Sequence, residues 1–270
     1  VTPQTLQAGD ALRRRLGHYL GATLYFEGEW YWGIDRLHHL EARLTQAGLR
    51  KEPEHEPLYP PPRVSSAHSA APTTVDLARA RRLTFFCSLR SPYTYLAVDR
   101  VRALAASYGA TLELAFVLPM VMRGLPVNQA KRLYIVRDAK REAERLNLPF
   151  GDIADPVGLP TERGLAVLNH AIAAGCGPDF LESFLRGVFA EGIDAGSQRG
   201  LQRIAHRAGM DWAAVTRALD DPSWRTLAQQ HRDRMQHLGL WGVPSFQVDD
   251  RPGLWGQDRL FMVEQDLAAA

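Results

Sequence analysis

The stretch from Arg81 to Phe116 constrains the fold more than any other part of the chain. Leu83 to Cys87, "LTFFC", is short, apolar and aromatic, and predicts a buried strand. Ser91-Pro92 follows as a helix start, with serine as N-cap and proline at the first helical position. Tyr93, Leu96, Ala97, Val101, Leu104, Ala105 and Tyr108 then recur at helical spacing, and Gly109 ends the run. "ATLELAFVLP" is the next strand. A strand, a helix and a second strand in that order imply a parallel pair joined by a right-handed crossover.

Downstream, residues 129–239 are mostly helical: several amphipathic segments are bounded by Gly or Pro, from "AKRLYIVRDAKREAERLNLP" to "WRTLAQQHRDRMQHLG". "GVPSFQVDDRPGLWG" predicts a hairpin with its turn at Asp250 to Gly253, and "QDRLFMVEQDL" a closing helix. The sum is β-α-β, a helical insert, then β-β-α. That is the parts list of an α/β, thioredoxin-like fold with an inserted helical domain. We assign 82–128 and 240–270 to the thioredoxin-like domain and 129–239 to the insert.

Upstream, "RKEPEHEPLYPPPRVSSAHSAAP" lacks hydrophobic periodicity and predicts a linker, assigned to residues 50–81. Residues 1–49 echo the C-terminus. Gly21-Ala-Thr-Leu-Tyr-Phe matches Gly242-Val-Pro-Ser-Phe, with Thr23 opposite Pro244. Trp32-Gly33-Ile34-Asp35-Arg36-Leu37 matches Trp255-Gly256-Gln257-Asp258-Arg259-Leu260. This copy has only the closing hairpin and helix of a thioredoxin-like unit. We therefore expect a partial second unit, the remnant of the first half of a longer tandem protein, with no working site of its own.

Bulk properties exclude several classes. Apolar residues at 46% and charged residues at 23% suit a globular protein with a substantial core. A formal charge of +2, without an aromatic-basic array, does not point to nucleic acid, and Arg13 to Arg15 and Arg79, Arg81 and Arg82 are taken as solvated faces. No apolar run approaches the roughly 20 residues that span a bilayer. Cys87 and Cys176 form neither CxxC nor metal-ligand spacing, which suits a reducing cytoplasm. The nine histidines show no HExxH, and neither a GxGxxG before a helix nor a P-loop is present.

The candidate site residues each carry two readings. Ser91 is a simple N-cap, or the point where a helix dipole and backbone N–H groups stabilise a thiolate. Val243-Pro244 is trans by base rate. Its place at the head of a strand in this parts list argues for cis, which would present the Val243 backbone to a peptide-like ligand. Gln257 and Asp258 either cap the last helix or recognise an ammonium or amide group. Asp35, which repeats Asp258, gives weight to a role in the fold. Lys131 is a surface lysine or a carboxylate ligand. Cys87, inside its strand, is taken as a buried apolar thiol.

"FFCSLRSPYTYLA", "AKRLYIVRDAKREAERLNLP" and "GVPSFQVDDRPGLWGQDRL", in that order, resemble the 2-hydroxychromene-2-carboxylate isomerase and kappa-class glutathione transferase family, relatives of DsbA-type oxidoreductases. The resemblance covers about residues 82–267. It implies glutathione as cofactor. Ser91 would hydrogen-bond its sulfur, Val243 ahead of cis Pro244 would hold its cysteinyl backbone, Gln257 and Asp258 its γ-glutamyl end, and Lys131 would lie nearby. Ser88 stands where the family usually carries an acidic residue, and "GLPVNQAK", with Asn128, replaces an Asn-x-Pro-Pro stretch. The implied activity is glutathione-dependent isomerisation or transfer on an aromatic or other electrophilic small molecule, with no further partner except a second copy in a homodimer. Two alternatives stand beside it. One is a DsbA-like oxidoreductase, for which Ser91 to Thr94 lacks both sulfurs. The other is a non-catalytic binding or assembly module.

Overall fold

The computed structural model describes residues 2–52, 54–62, 64 and 81–269. Positions 65–80 of the expected linker therefore lie outside the described residues. The chain forms two compact units, Val1–Arg63 with Val127–Arg137, and Val64–Pro126 with Asp138–Ala270.

The larger unit is built on four strands: β3 (Arg82–Cys87), β4 (Thr111–Phe116), β5 (Ser245–Val248) and β6 (Leu254–Trp255), in the order β4-β3-β5-β6. Helix α3 (Pro92–Ser107) connects β3 to β4, which pair in parallel from Arg82↔Thr111 to Cys87↔Phe116. On its other edge β3 pairs antiparallel with β5, Phe85 opposite Phe246. Six helices fill the interval before β5: α4 (Gln129–Arg145), which enters this unit at Asp138, α5 (Leu159–Ala173), α6 (Gly177–Ala190), α7 (Gln198–Arg207), α8 (Trp212–Ala218) and α9 (Ser223–His237). Helix α10 (Leu260–Ala268) closes the unit.

Side chains alternate across the sheet as the strand pleat requires. Leu83, Phe85, Cys87, Phe246 and Val248 enter one large core, which continues through the helices to Leu168, Phe180, Phe184 and Ile204. The Phe85 and Phe246 rings stack there at 5.4 Å. The packing admits no slack at Gly164, where an added Cβ would lie 2.5 Å from Phe184 and 2.6 Å from Leu89. The opposite face carries Thr84, Phe86, Ser245 and Gln247. Phe86 packs with Ala115, Met235 and Leu240. Arg234 of α9 reaches over this face to Glu113 (2.7 Å) and to the Thr84 hydroxyl (2.9 Å), pairing the polar groups that the sheet buries.

The smaller unit holds α1 (Pro3–Arg15), the hairpin β1 (Thr23–Phe26) and β2 (Glu29–Trp32), and α2 (Leu37–Gln46). The hairpin turns on Glu27 and Gly28, both at positive φ (45° and 88°), as the tightest two-residue loops demand. A 3-10 turn at Ile34–Arg36 leads into α2, as one at Gln257–Arg259 leads into α10. Gly33 and Gly256, at φ 68° and 105°, precede these turns, which explains the repeated Trp-Gly. The echo extends further back than the sequence match. Helix α1 ends at Arg15 and β1 begins at Thr23; α9 ends at His237 and β5 begins at Ser245, the same interval. Aligned on the strands, Ala22, at φ 53°, takes the place of Pro244, which corrects the pairing of Thr23 with Pro244. Among the described residues no helix is long and apolar enough to cross a membrane.

Phe246 has no exposed surface and fills the centre of the core. Phe246→Ala is expected to lower unfolding free energy by about 3–5 kcal/mol in urea titrations. A loss below about 1 kcal/mol would mean that this packing is not the real one.

Candidate active site

Ser91 caps α3. Its φ and ψ of −105° and 111° are extended, and its hydroxyl oxygen accepts the Thr94 N–H at 3.1 Å. Pro92 opens the helix without an N–H to leave unpaired. The Ser91 hydroxyl donates to the carbonyl of Val243 at 3.4 Å, a long bond. Val243-Pro244 is cis, and Pro244 directly precedes β5. The turn is held from both sides: the Ser245 hydroxyl donates to Gly242 (2.7 Å), and the Gly256 N–H to Pro244 (2.9 Å). The fold therefore brings together a serine hydroxyl, a helix N-terminus and the backbone of Val243, residues far apart in sequence. Arg90 fixes the approach to Ser91 through a two-pronged pair with Asp155, both contacts at 2.6 Å.

Gln257 is almost fully buried, and both ends of its amide have protein partners. Its carbonyl accepts from Arg100 at 2.6 Å, and its amino group donates to Glu142 at 3.0 Å and to the neighbouring Asp258. Glu142 is itself fully buried and also pairs with Arg145 at 2.8 Å. Burial, then the like charge of Arg145, draws the Arg100 pKa below the usual arginine value. The Gln257 side chain thus ties α3 and α10 to the helical insert. Asp258 is half-buried beside it.

Lys131 belongs to the smaller unit. Its ammonium lies 5.8 Å from the centre of the Tyr19 ring, a cation–π distance. Its backbone N–H donates to Asn128, which so caps the helix α4 (Gln129–Arg145).

Tyr93 and Asp138 were not singled out from the sequence as site residues. The Tyr93 hydroxyl donates to the fully buried Asp138 at 2.7 Å. Tyr93 was visible only as one apolar helical position, and Asp138 as one charge among many. Ser88 and Thr94 bury their hydroxyl oxygens without a hydrogen-bond partner among the described residues. Thr94 stands three residues after Ser91, where the second cysteine of a CxxC dithiol would be. Cys87 is fully buried, and burial pushes its thiol pKa far above the ordinary range. Cys176 is half-buried, and burial, then the charge of Asp179, raises its pKa as well.

Replacing Gln257 by leucine removes the shared partner of the buried Glu142 and the half-buried Arg100. Gln257→Leu is expected to cost about 2–4 kcal/mol of stability by chemical denaturation. An unchanged midpoint would show that the network is not formed. In thiol titration at mild alkaline pH, Cys87 is expected to react only after denaturation and Cys176 slowly in the native protein. Rapid native modification of Cys87 is the contrary result.

A family model described as DSBA-like thioredoxin domain matches residues 82–268. Over 192 residues the chain is 25% identical to the 2-hydroxychromene-2-carboxylate isomerase of Pseudomonas putida, covering 67% of this chain and 91% of that protein. Among solved structures it is similar to 2-hydroxychromene-2-carboxylate isomerase, with a TM-score of 0.59 at 22% identity over 69% of this chain and 94% of that one. It is also similar to the cytosolic disulfide reductase DsbM from Pseudomonas aeruginosa, in its structure with GSH. There the TM-score is 0.54 at 20% identity, over 69% of this chain and 95% of that one. The thioredoxin fold and the helical insert of the larger unit agree with these likenesses, and the chain belongs to the DsbA-like thioredoxin domain family.

Proposed function

We propose that the larger unit is a glutathione-dependent isomerase or transferase acting on an electrophilic small molecule. The observation that carries this reading is the meeting of the Ser91 hydroxyl with the Val243 carbonyl at a cis Val243-Pro244 turn. Bound glutathione would supply a thiol nucleophile. The residues present suit such a ligand in part. Ser91 can rotate its hydroxyl from Val243 toward a sulfur anion, and the α3 N-terminus favours the charged form. Val243 offers backbone groups to a peptide-like chain, and the Asp258 carboxylate suits an ammonium group. Gln257 does not join them, because its amide is taken up by Arg100, Glu142 and Asp258. Lys131 enters this reading from the family resemblance alone.

The names of the relatives support an enzyme of this kind, and the DsbM structure with GSH shows that a similar fold holds the tripeptide. A cytoplasmic setting, where thiols stay reduced, suits the reading. Dithiol exchange is not proposed at Ser91, because hydroxyls occupy both positions where that chemistry needs sulfur. A non-catalytic binding module is the second reading, and the commitment of Gln257 to the fold favours it.

Calorimetry with reduced glutathione is the decisive measurement. Millimolar or tighter binding is expected, weakened about tenfold in Asp258→Ala, which removes one charge-assisted contact. With 2-hydroxychromene-2-carboxylate or an activated halobenzene as electrophile, Ser91→Ala is expected to lower kcat about 100-fold while glutathione still binds. Absence of binding at several millimolar glutathione sinks the enzyme reading and leaves the binding module. Binding with an unchanged kcat in Ser91→Ala removes Ser91 from the chemistry.

A further inference from the structure

The parallel strands of the larger unit end together, at Cys87↔Phe116, and the Val117 N–H still donates to the Cys87 carbonyl at 2.9 Å. From that edge β3 leads on to Ser91, and β4 leads through Pro119 into the 3-10 turn Met120–Arg123. Helix α9 passes the same edge. The His231 ring donates its Nδ1–H to the Phe116 carbonyl at 3.0 Å, and Arg232 is the next residue. Arg123 and Arg232 come close there. Burial, then the like charge of Arg232, draws the Arg123 pKa below the usual arginine value. Each of the two buries its guanidinium Nε without a hydrogen-bond partner among the described residues. Arg123 forms no ion pair among the described residues. The Asp233 carboxylate stands 3.7 Å from the Arg232 Nε, beyond hydrogen-bond reach, and is 48% exposed. Elsewhere in this unit arginines meet carboxylates: Arg90 with Asp155, Arg102 with Asp179, Arg207 with Glu191 and Arg234 with Glu113.

Two partly desolvated like charges repel, and each buried Nε–H costs free energy while it is unpaired. An oxyanion between them removes both costs, because the planar guanidinium forks offer donors that match a carboxylate or a phosphate. We propose that Arg123 and Arg232 form an oxyanion site that holds the carboxylate or phosphate group of the electrophilic substrate. The sheet order says which ligand the site serves. In β4-β3-β5-β6, Val243 precedes β5 and Asp258 follows β6, on one side of β3, whereas Arg123 follows β4 on the other. Glutathione held by Val243 and Asp258 leaves the β4 side of Ser91 to the second substrate. That role rests on the glutathione reading above; the anion site itself does not. An enzyme so built selects acidic electrophiles over neutral ones of the same shape, through binding more than through turnover.

Binding is tested on the full chain without glutathione, with 4-nitrobenzoate and 4-nitrophenyl phosphate as probes and 4-nitrobenzamide as the uncharged control. In calorimetry at low salt, one or both anions are expected to bind at least about tenfold tighter than the amide and to weaken as salt rises. Arg123→Gln and Arg232→Gln should each abolish that margin. In protein with isotope-labelled arginine, the Nε–H signals absent from the two variants should shift with the anion and not with the amide. Both variants should melt no lower than the parent, since each removes one of two repelling charges. A lower melting temperature with the anion preference retained assigns these arginines to the fold and overturns the proposal. So does equal affinity for anion and amide. Turnover then decides the role of the site, with glutathione and either 4-chloro-3-nitrobenzoate or its amide. The C–S bond forms at the ring carbon that loses chloride, and the thiol proton passes to solvent. The acid is expected to show a KM about tenfold lower at similar kcat, and the variants to raise KM for the acid alone. If glutathione displaces 4-nitrobenzoate, its own carboxylate occupies the site and the assignment to the second substrate fails. If glutathione does not bind at all, the enzyme reading fails, while the preference for anion over amide still decides the site.

Discussion

Strand β3 has to satisfy its backbone groups inside a core from which water is excluded. It does so with β4 on one edge and β5 on the other. The parallel side demands a crossover, and α3 is that crossover. A helix that must start where β3 ends places its N-terminus, capped by Ser91, at the carboxyl edge of the sheet. The antiparallel side brings β5 back from a distant part of the chain, and with it the cis turn at Val243-Pro244. The meeting of Ser91 and Val243 is therefore a consequence of how one strand is paired. The chemistry assigned to the site depends on that pairing more than on any single contact within it.

The helical insert acts on the site by holding its surroundings. Asp155 fixes Arg90 beside Ser91, Asp138 receives the Tyr93 hydroxyl, and Glu142 anchors Gln257. All three carboxylates come from one stretch of the chain. Asp138 and Glu142 are fully buried carboxylates, costly to disturb, so their contacts rigidify the start of α3 and the turn before α10, whereas Asp155 is exposed and aims Arg90 from the surface. Gln257, which the family resemblance pairs with Asp258 in ligand recognition, is thereby committed to the fold, while Asp258 next to it is half-buried.

The two copies of the closing hairpin show what a sheet context adds. The same order of helix, strands, glycine and 3-10 turn recurs, yet β5 is buried along its whole length and β1 is not. The difference lies in the partner strand, since β1 has no equivalent of β3 among the described residues. A cis proline also stands at one site only, with Ala22 in its place at the other.

Local patterns made the elements legible. The apolar run at Leu83–Cys87, the Ser91-Pro92 cap and the helical period to Tyr108 set a parallel pair. The Val-Pro step ahead of an apolar strand pointed to the cis turn. Trp-Gly repeated before an acidic residue marked the two matching hairpins. Such signals survive in sequence because they depend on neighbours a few residues apart. The partners of Gln257, Tyr93 and Arg90 were not legible, since each pairs with a residue from another part of the chain, and a carboxylate at Asp138, Glu142 or Asp155 looks like any surface charge until packing buries or aims it. By itself the sequence determined the α/β class, the order of elements in the larger unit and Ser91 as a helix cap, but not helix α1. Only the tertiary structure decided that Ser91 faces Val243, that Gln257 serves the fold and that Lys131 belongs to the smaller unit, because those outcomes turn on long-range pairing that no local period encodes.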